Sequence, residues 1–229
     1  LAREFELGGV TMFSRNIEAP EQVRELNHDV QALSSGVPLW LAVDQEGGRV
    51  ARLRSPFTEW PAMAALGRSG DDGLAYRFAS ALAAELTAVG VTLDYAPVLD
   101  IHTNSHNPVI GDRALGEDAA TVARLGAAIV RGLQENGVAA CGKHFPGHGD
   151  TSVDSHLELP LVEHPPDRVR RVECVPFREA IRNDVAFIMT AHVLVPSLDA
   201  EKPATLSSQI VRGMLREELD FNGVILSDD

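Results

Sequence analysis

Cysteine is scarce: the 229 residues include two, Cys141 and Cys174. Neither stands in a Cys-x-x-Cys pair or at the Cys/His spacing of a zinc site. Both are expected to be reduced thiols packed as small hydrophobes. No apolar run approaches the ~18–20 residues that a membrane span needs, and no secretory leader is visible, so the expected location is the cytoplasm. Cationic charge is short as well. Lys and Arg number 20 against 33 Asp and Glu, a formal net charge of −13. That balance argues against nonspecific nucleic-acid binding, which needs a basic face. Repeats, low-complexity tracts and linkers are absent, so the chain reads as one domain over residues 1–229.

What is present is an alternation. Short apolar runs at 8–13, 38–43, 91–98, 138–142, 186–191 and 223–226 read as strands. Helical patterns fill 20–33, 71–88, 118–136, 167–182 and 207–219. Asp118 and Ser207 stand where N-caps belong, and Gly90 and Gly137 follow two of the helices. The strands are continuously apolar, as expected when both faces are covered. The pattern therefore predicts an α/β fold with a parallel sheet.

An open doubly wound sheet and a (β/α)8 barrel of the TIM type compete. An open sheet concentrates its site at one switch point. Here polar or reactive residues follow nearly every strand: Ser14 to Asn16, Asp44 to Glu46, Asp100, Lys143 and His144, His192, and Asp228 and Asp229. A barrel gathers such residues at one mouth, so the barrel is expected. Six strands do not close it, and the chain is expected to be a barrel truncated at both ends.

The densest chemistry lies between Lys143 and His156, where one segment holds Lys143, His144, His148, Asp150, Asp154 and His156. Its glycines and proline exclude a helix. A segment this rich in titratable groups is suited to placing hydrogen bonds and protons over a substrate. Asp154, two residues before His156, can hold one imidazole nitrogen and leave the other facing outward. His148 can bind substrate or brace the loop. Asp44 follows a strand and can accept from sugar hydroxyls. Arg52 can donate a fork of bonds to a sugar or carboxylate; the alternative is that the two brace the turn at Gly47 and Gly48. Arg113 can reach the mouth, whereas Asp118 caps a helix. Asp228, first off the last strand, is the candidate nucleophile. Asp229 reads as a supporting or capping residue.

Together, the segments 43–49, 96–100, 111–118, 143–156 and 226–229 resemble the bacterial β-N-acetylhexosaminidases of glycoside hydrolase family 3, the cell-wall recycling branch. The resemblance implies a retaining exo-glycosidase that releases terminal β-linked N-acetylglucosamine from muropeptides. It implies Asp228 as nucleophile, His156 as acid/base with Asp154 as its partner, and Asp44, Arg52, Arg113, Lys143 and His144 as sugar-binding residues. It implies a monomer working without metal or cofactor. His192 receives no role. Retaining glycosidases usually place two carboxyl groups around the scissile bond; a His near its ordinary pKa also suits proton transfer around neutrality. The alternatives are a β-glucosidase or a phosphorylase on the same scaffold, a metal-dependent barrel hydrolase using His144, His148, His156 and Asp228, and a non-catalytic sugar-binding protein.

Overall fold

The computed structural model describes residues 7–34, 36–153 and 159–229. In chain order the strands are β1 (Gly9–Met12), β2 (Trp40–Val43), the two short strands β3 (Gln45–Gly47) and β4 (Val50–Ala51), β5 (Leu93–Asp94), β6 (Ala139–Phe145), β7 (Phe187–Thr190) and β8 (Val224–Ser227). The strands β3 and β4 pair antiparallel as a hairpin. The other six form one parallel sheet in the order β1-β2-β5-β6-β7-β8.

That order decides between the two architectures. Each new strand joins the same edge, so the sheet has no switch point and is not doubly wound. It also curls. The rings of Trp40 on β2 and Phe187 on β7 meet edge to face with centroids 5.0 Å apart. Three strand spacings in a flat sheet would separate them by about 14 Å. Thr11 on β1 and Tyr95 just after β5 likewise hydrogen-bond at 2.8 Å across β2. The barrel-type curvature anticipated from the polar strand ends is thus present in the six strands.

Side chains alternate between the two faces of the curled sheet. Ala42, Leu93, Cys141, Phe187 and Met189 fill the inside. Val43, Ala140 and Ile188 belong to the larger outer core, which the helices cover. These are α1 (Pro20–Gln31), α2 (Met63–Ser69), α3 (Asp72–Ala88), α4 (Ala119–Gln134) and α5 (Cys174–Arg182). A π-wound helix, Gln209–Glu218, precedes β8. Helix α4 buries Val122, Leu125, Ile129 and Leu133 on one stripe, the three-and-four spacing of an amphipathic helix. Asp118 caps it as expected, accepting from the Thr121 N–H at 2.9 Å, and Asp71 does the same for α3 through Leu74 at 3.0 Å. Both cysteines are free and buried.

Several boundaries differ from the expected ones. The run at 91–98 forms ladder pairs only over Leu93–Asp94. The Ala96 and Pro97 carbonyls still accept from Cys141 and Lys143 of β6 at 2.8 and 3.2 Å, but Pro97 has no N–H to return. Strand β6 runs three residues beyond its expected end, so Lys143 and His144 lie on a strand rather than in a loop. The hairpin β3–β4 and the helix α2 were not anticipated. The helix expected at 167–182 is present, but it starts as one α-turn, Pro166–Arg168, and widens to π geometry over Val169–Glu173 before α5. Among the described residues no helix is long and apolar enough to cross a membrane.

Candidate active site

The C-terminal ends of the six parallel strands open on one cavity of about 530 Å³. Of the expected site residues, Asp44, Arg52, Arg113, Lys143, His144 and Asp228 all line it. Asp154 and His156 lie outside the described residues.

Strand β6 supplies two neighbours at once. Successive strand residues normally face opposite sides, yet Lys143 and His144 both reach the cavity. A register shift against β7 between Lys143 and Phe145 breaks the alternation there, the re-aiming that a bulge provides beside active sites. Lys143 is buried, and its Nζ lies 2.8 Å from Asp44 Oδ1 and 2.6 Å from Glu46 Oε1. Arg113 grips the same Glu46 with both branches of its fork, Nε to Oε2 at 2.9 Å and Nη2 to Oε1 at 2.8 Å. Arg52 Nη2 donates to Asp44 Oδ2 at 3.2 Å.

These contacts form one ion-pair network of two carboxylates and three cations. Burial alone would raise the Glu46 carboxyl, but the Lys143 and Arg113 cations outweigh it and bring its pKa to about 2. Burial likewise works to raise Asp44, and Lys143, with Arg52, leaves it below the usual range. For Lys143 the burial that would lower its pKa is outweighed by Glu46 and Asp44, so it stays charged. The Asp44–Arg52 pair braces the turn, and both residues also line the cavity. Arg113 reaches the mouth, but with most of its fork already engaged by Glu46 and by the Val109 carbonyl at 3.2 Å.

From the end of the run that follows β5, Asp100 Oδ2 sits 2.6 Å from His144 Nδ1, and its Oδ1 accepts from the His148 backbone N–H at 2.6 Å. His148 is buried, with Nδ1 at 2.6 Å from Thr151 Oγ1, and it also lines the cavity. Asn107 Nδ2 donates to the His148 carbonyl at 2.8 Å, tying the 143–151 segment to the loop before Arg113. Gly149 makes this approach possible: a Cβ there would stand 1.8 Å from the Ile101 carbonyl oxygen.

Asp228 follows β8 with its side chain 16% exposed, and its Oδ2 lies 3.9 Å from His144 Nε2. Its backbone is held from two sides. The Asp228 N–H donates to the Thr190 carbonyl at 3.2 Å, and His192 Nε2 lies 3.2 Å from the Asp228 carbonyl. His192, left without a role by the sequence, thus touches the backbone of the candidate nucleophile. The Asp229 N–H donates to Asp228 Oδ1 at 2.9 Å. Among the described residues no group of three His, Cys, Asp or Glu is placed to hold a metal ion.

Two participants were not singled out from the sequence as site residues, Glu46 and Asp100. Both stood in the segments that carry the resemblance. Glu46 also shares a side with Asp44 by its two-residue spacing, the signal that could have found it.

The profile described as "Glycosyl hydrolase family 3 N terminal domain" matches residues 2–229. A "Beta-hexosaminidase" of Nitrosomonas eutropha is 43% identical over 229 residues, 97% of this chain and 65% of that protein. A family 3 β-N-acetylglucosaminidase structure from Paenibacillus sp. superposes with a TM-score of 0.97 at 48% identity, covering 99% of this chain and 44% of that one. A NagZ of Neisseria gonorrhoeae, solved with N-trifluoroacetyl-D-glucosamine, gives a TM-score of 0.91 at 40% identity, covering 97% of this chain and 67% of that one. The chain spans about two thirds or less of these curated relatives, down to 42% of a "Beta-hexosaminidase A" from Pseudoalteromonas piscicida. Match and likeness agree, and the chain belongs to glycosyl hydrolase family 3, within its N terminal domain.

Proposed function

We propose that the protein is a retaining β-N-acetylhexosaminidase that releases terminal non-reducing N-acetylglucosamine from muropeptides. The observation that carries the reading is the convergence of six strand ends on one cavity where the Asp228 carboxylate faces a network of fixed charges. A sugar has many hydroxyls and no net charge. Asp44, Arg52 and Lys143 offer acceptors and donors whose ionisation is fixed by one another, which suits orienting hydroxyls without proton exchange. The relative solved with an N-acyl glucosamine and the curated β-hexosaminidase support the acetylated sugar.

In this mechanism Asp228 attacks the anomeric carbon and forms a glycosyl ester while the leaving oxygen takes a proton from His156. His156 then deprotonates a water that attacks the same carbon, and two inversions give retention. Asp154 holds the His156 imidazole in its working orientation. Arg113 and Lys143 act largely through Glu46 and Asp44, and His144 stands beside the nucleophile. The domain is proposed to span residues 1–229, and the enzyme to act in the cytoplasm as a monomer; cell fractionation and sedimentation test the last two.

Hydrolysis of 4-nitrophenyl N-acetyl-β-D-glucosaminide and of the matching glucoside by the full-length protein tests the reading. Cleavage of the acetylated sugar in preference, lost in Asp228→Ala, is expected. Equal or better cleavage of the glucoside overturns the substrate. For His156→Ala, turnover is expected to fall least on activated aryl glycosides, whose leaving groups need little protonation; equal losses on poor and good leaving groups sink the acid assignment.

A further inference from the structure

Asp100 has no exposed surface, yet it is spent on residues of the mouth. Its Oδ2 accepts from the His144 backbone N–H at 3.2 Å and lies 2.6 Å from His144 Nδ1. Its Oδ1 accepts from the His148 N–H at 2.6 Å. Burial works to raise this carboxyl, but the charge and hydrogen bond of His144, with His148, more than offset it, so Asp100 stays ionised. An ionised carboxylate only accepts hydrogen bonds. A ring nitrogen 2.6 Å from it must therefore carry a proton, and that nitrogen is Nδ1. The other nitrogen, Nε2, belongs to a ring that lines the cavity and stands 3.9 Å from Asp228 Oδ2. That separation is too long for a direct hydrogen bond. It leaves Nε2 available to a substrate hydroxyl beside the nucleophile.

We infer that Asp100 is a positioning residue: it holds the His144 proton on Nδ1, so that Nε2 is the nitrogen turned to the substrate and to Asp228. Nε2 then accepts from a sugar hydroxyl when His144 is neutral and donates to one when His144 is charged. Asp100 touches no substrate itself. The His148 N–H on its second oxygen stops the carboxylate from rotating, so the ring plane is fixed along with the tautomer. In Asp100→Asn the amide can turn its NH2 to Nδ1, which moves the neutral imidazole proton to Nε2 and places a donor where the wild type has an acceptor.

The consequence for rate rests on the proposed hexosaminidase reading; the tautomer does not, and the experiment has an arm for each. Long-range 1H–15N spectra of the full-length, 15N-His-labelled protein, with His144 assigned through His144→Ala, are expected to show its Nδ1 protonated from pH 6 to 8. A neutral Nε2–H form of His144 in the wild type overturns the inference without recourse to any variant. In the kinetic arm, Asp100→Asn is expected to lower kcat on 4-nitrophenyl N-acetyl-β-D-glucosaminide about 10–100-fold, and to change kcat less than about threefold in a His144→Ala background. A brace that merely supports the fold predicts losses that multiply in both backgrounds with matching falls in Tm, and that result also overturns it. If the wild type cleaves no acetylated sugar, the proposed function fails while the tautomer is still decided by the spectra.

Discussion

Glu46 sits two residues past Asp44, inside the hairpin that follows β2, and it anchors two cations whose charges reach the cavity. A buried carboxylate between two cations is costly to neutralise, because each cation keeps its charge and loses its partner. Glu46→Gln is therefore expected to destabilise the protein on the order of 3–5 kcal/mol, read by urea denaturation. A loss under 1 kcal/mol would mean that Lys143 is held by Asp44 alone. The sign of the pH dependence follows from the depressed carboxyl. Its pKa falls from an ordinary 4.5 to about 2, so its contribution is complete above 4.5 and is lost as pH drops toward 2. The Tm gap between the wild type and Glu46→Gln is expected to narrow over that interval; a constant gap contradicts the pairing. Most of this network was legible because Asp44 and Lys143 follow strands and Arg113 stands in one of the loop segments that carry the resemblance. Glu46 received no role because its two cationic partners, Arg113 and Lys143, lie much further along the chain.

The helices α3 and α4 touch closely enough that the contact depends on one residue. A Cβ at Gly132 of α4 would lie 2.6 Å from the Tyr76 carbonyl oxygen and 2.6 Å from the Ala79 Cβ. At Gly213, in the π-wound helix before β8, an added Cβ meets nothing within 4 Å. Gly132→Ala is expected to destabilise by about 1–3 kcal/mol through overpacking. Gly213→Ala is expected to stabilise by about 0.5–1 kcal/mol by restricting the unfolded chain. Denaturant midpoints check both, and a neutral Gly132→Ala would show that the helices separate without cost. Element type was readable where period and caps agreed, as at α4, whose Asp118 cap was expected and found. Element ends were not, where a ladder outran its apolar run. The apolar run ending at Gly142 gives no hint that β7 goes on pairing with Lys143 and Phe145, because ladder bonds belong to the backbone and not to the side chains.

For the molecule as a whole, the sequential strand order and the contact of Trp40 with Phe187 show curvature that no single strand encodes. The barrel was nonetheless foreseeable, since only a curled parallel sheet brings six polar strand ends to one mouth. What the sequence could not supply was the partnering there: Asp100 and His192 stood out as strand-end residues but received no role, because their partners, His144 and the Asp228 carbonyl, are far away along the chain. Phe187→Ala is expected to cost about 3–5 kcal/mol and to shift Trp40 fluorescence, since the two rings pack across the inside of the curl. An unchanged Trp40 spectrum would argue for a flatter sheet. The central claim is that Asp228 becomes glycosylated. The measurement that tests it most directly is peptide mass mapping of the full-length protein after incubation with a fluorinated N-acetylglucosaminyl fluoride, whose fluorine slows release of the ester more than its formation. The account predicts a mass gain of one sugar on the peptide containing Asp228. A label on another carboxylate, or turnover of the substrate with no labelled peptide, would contradict it.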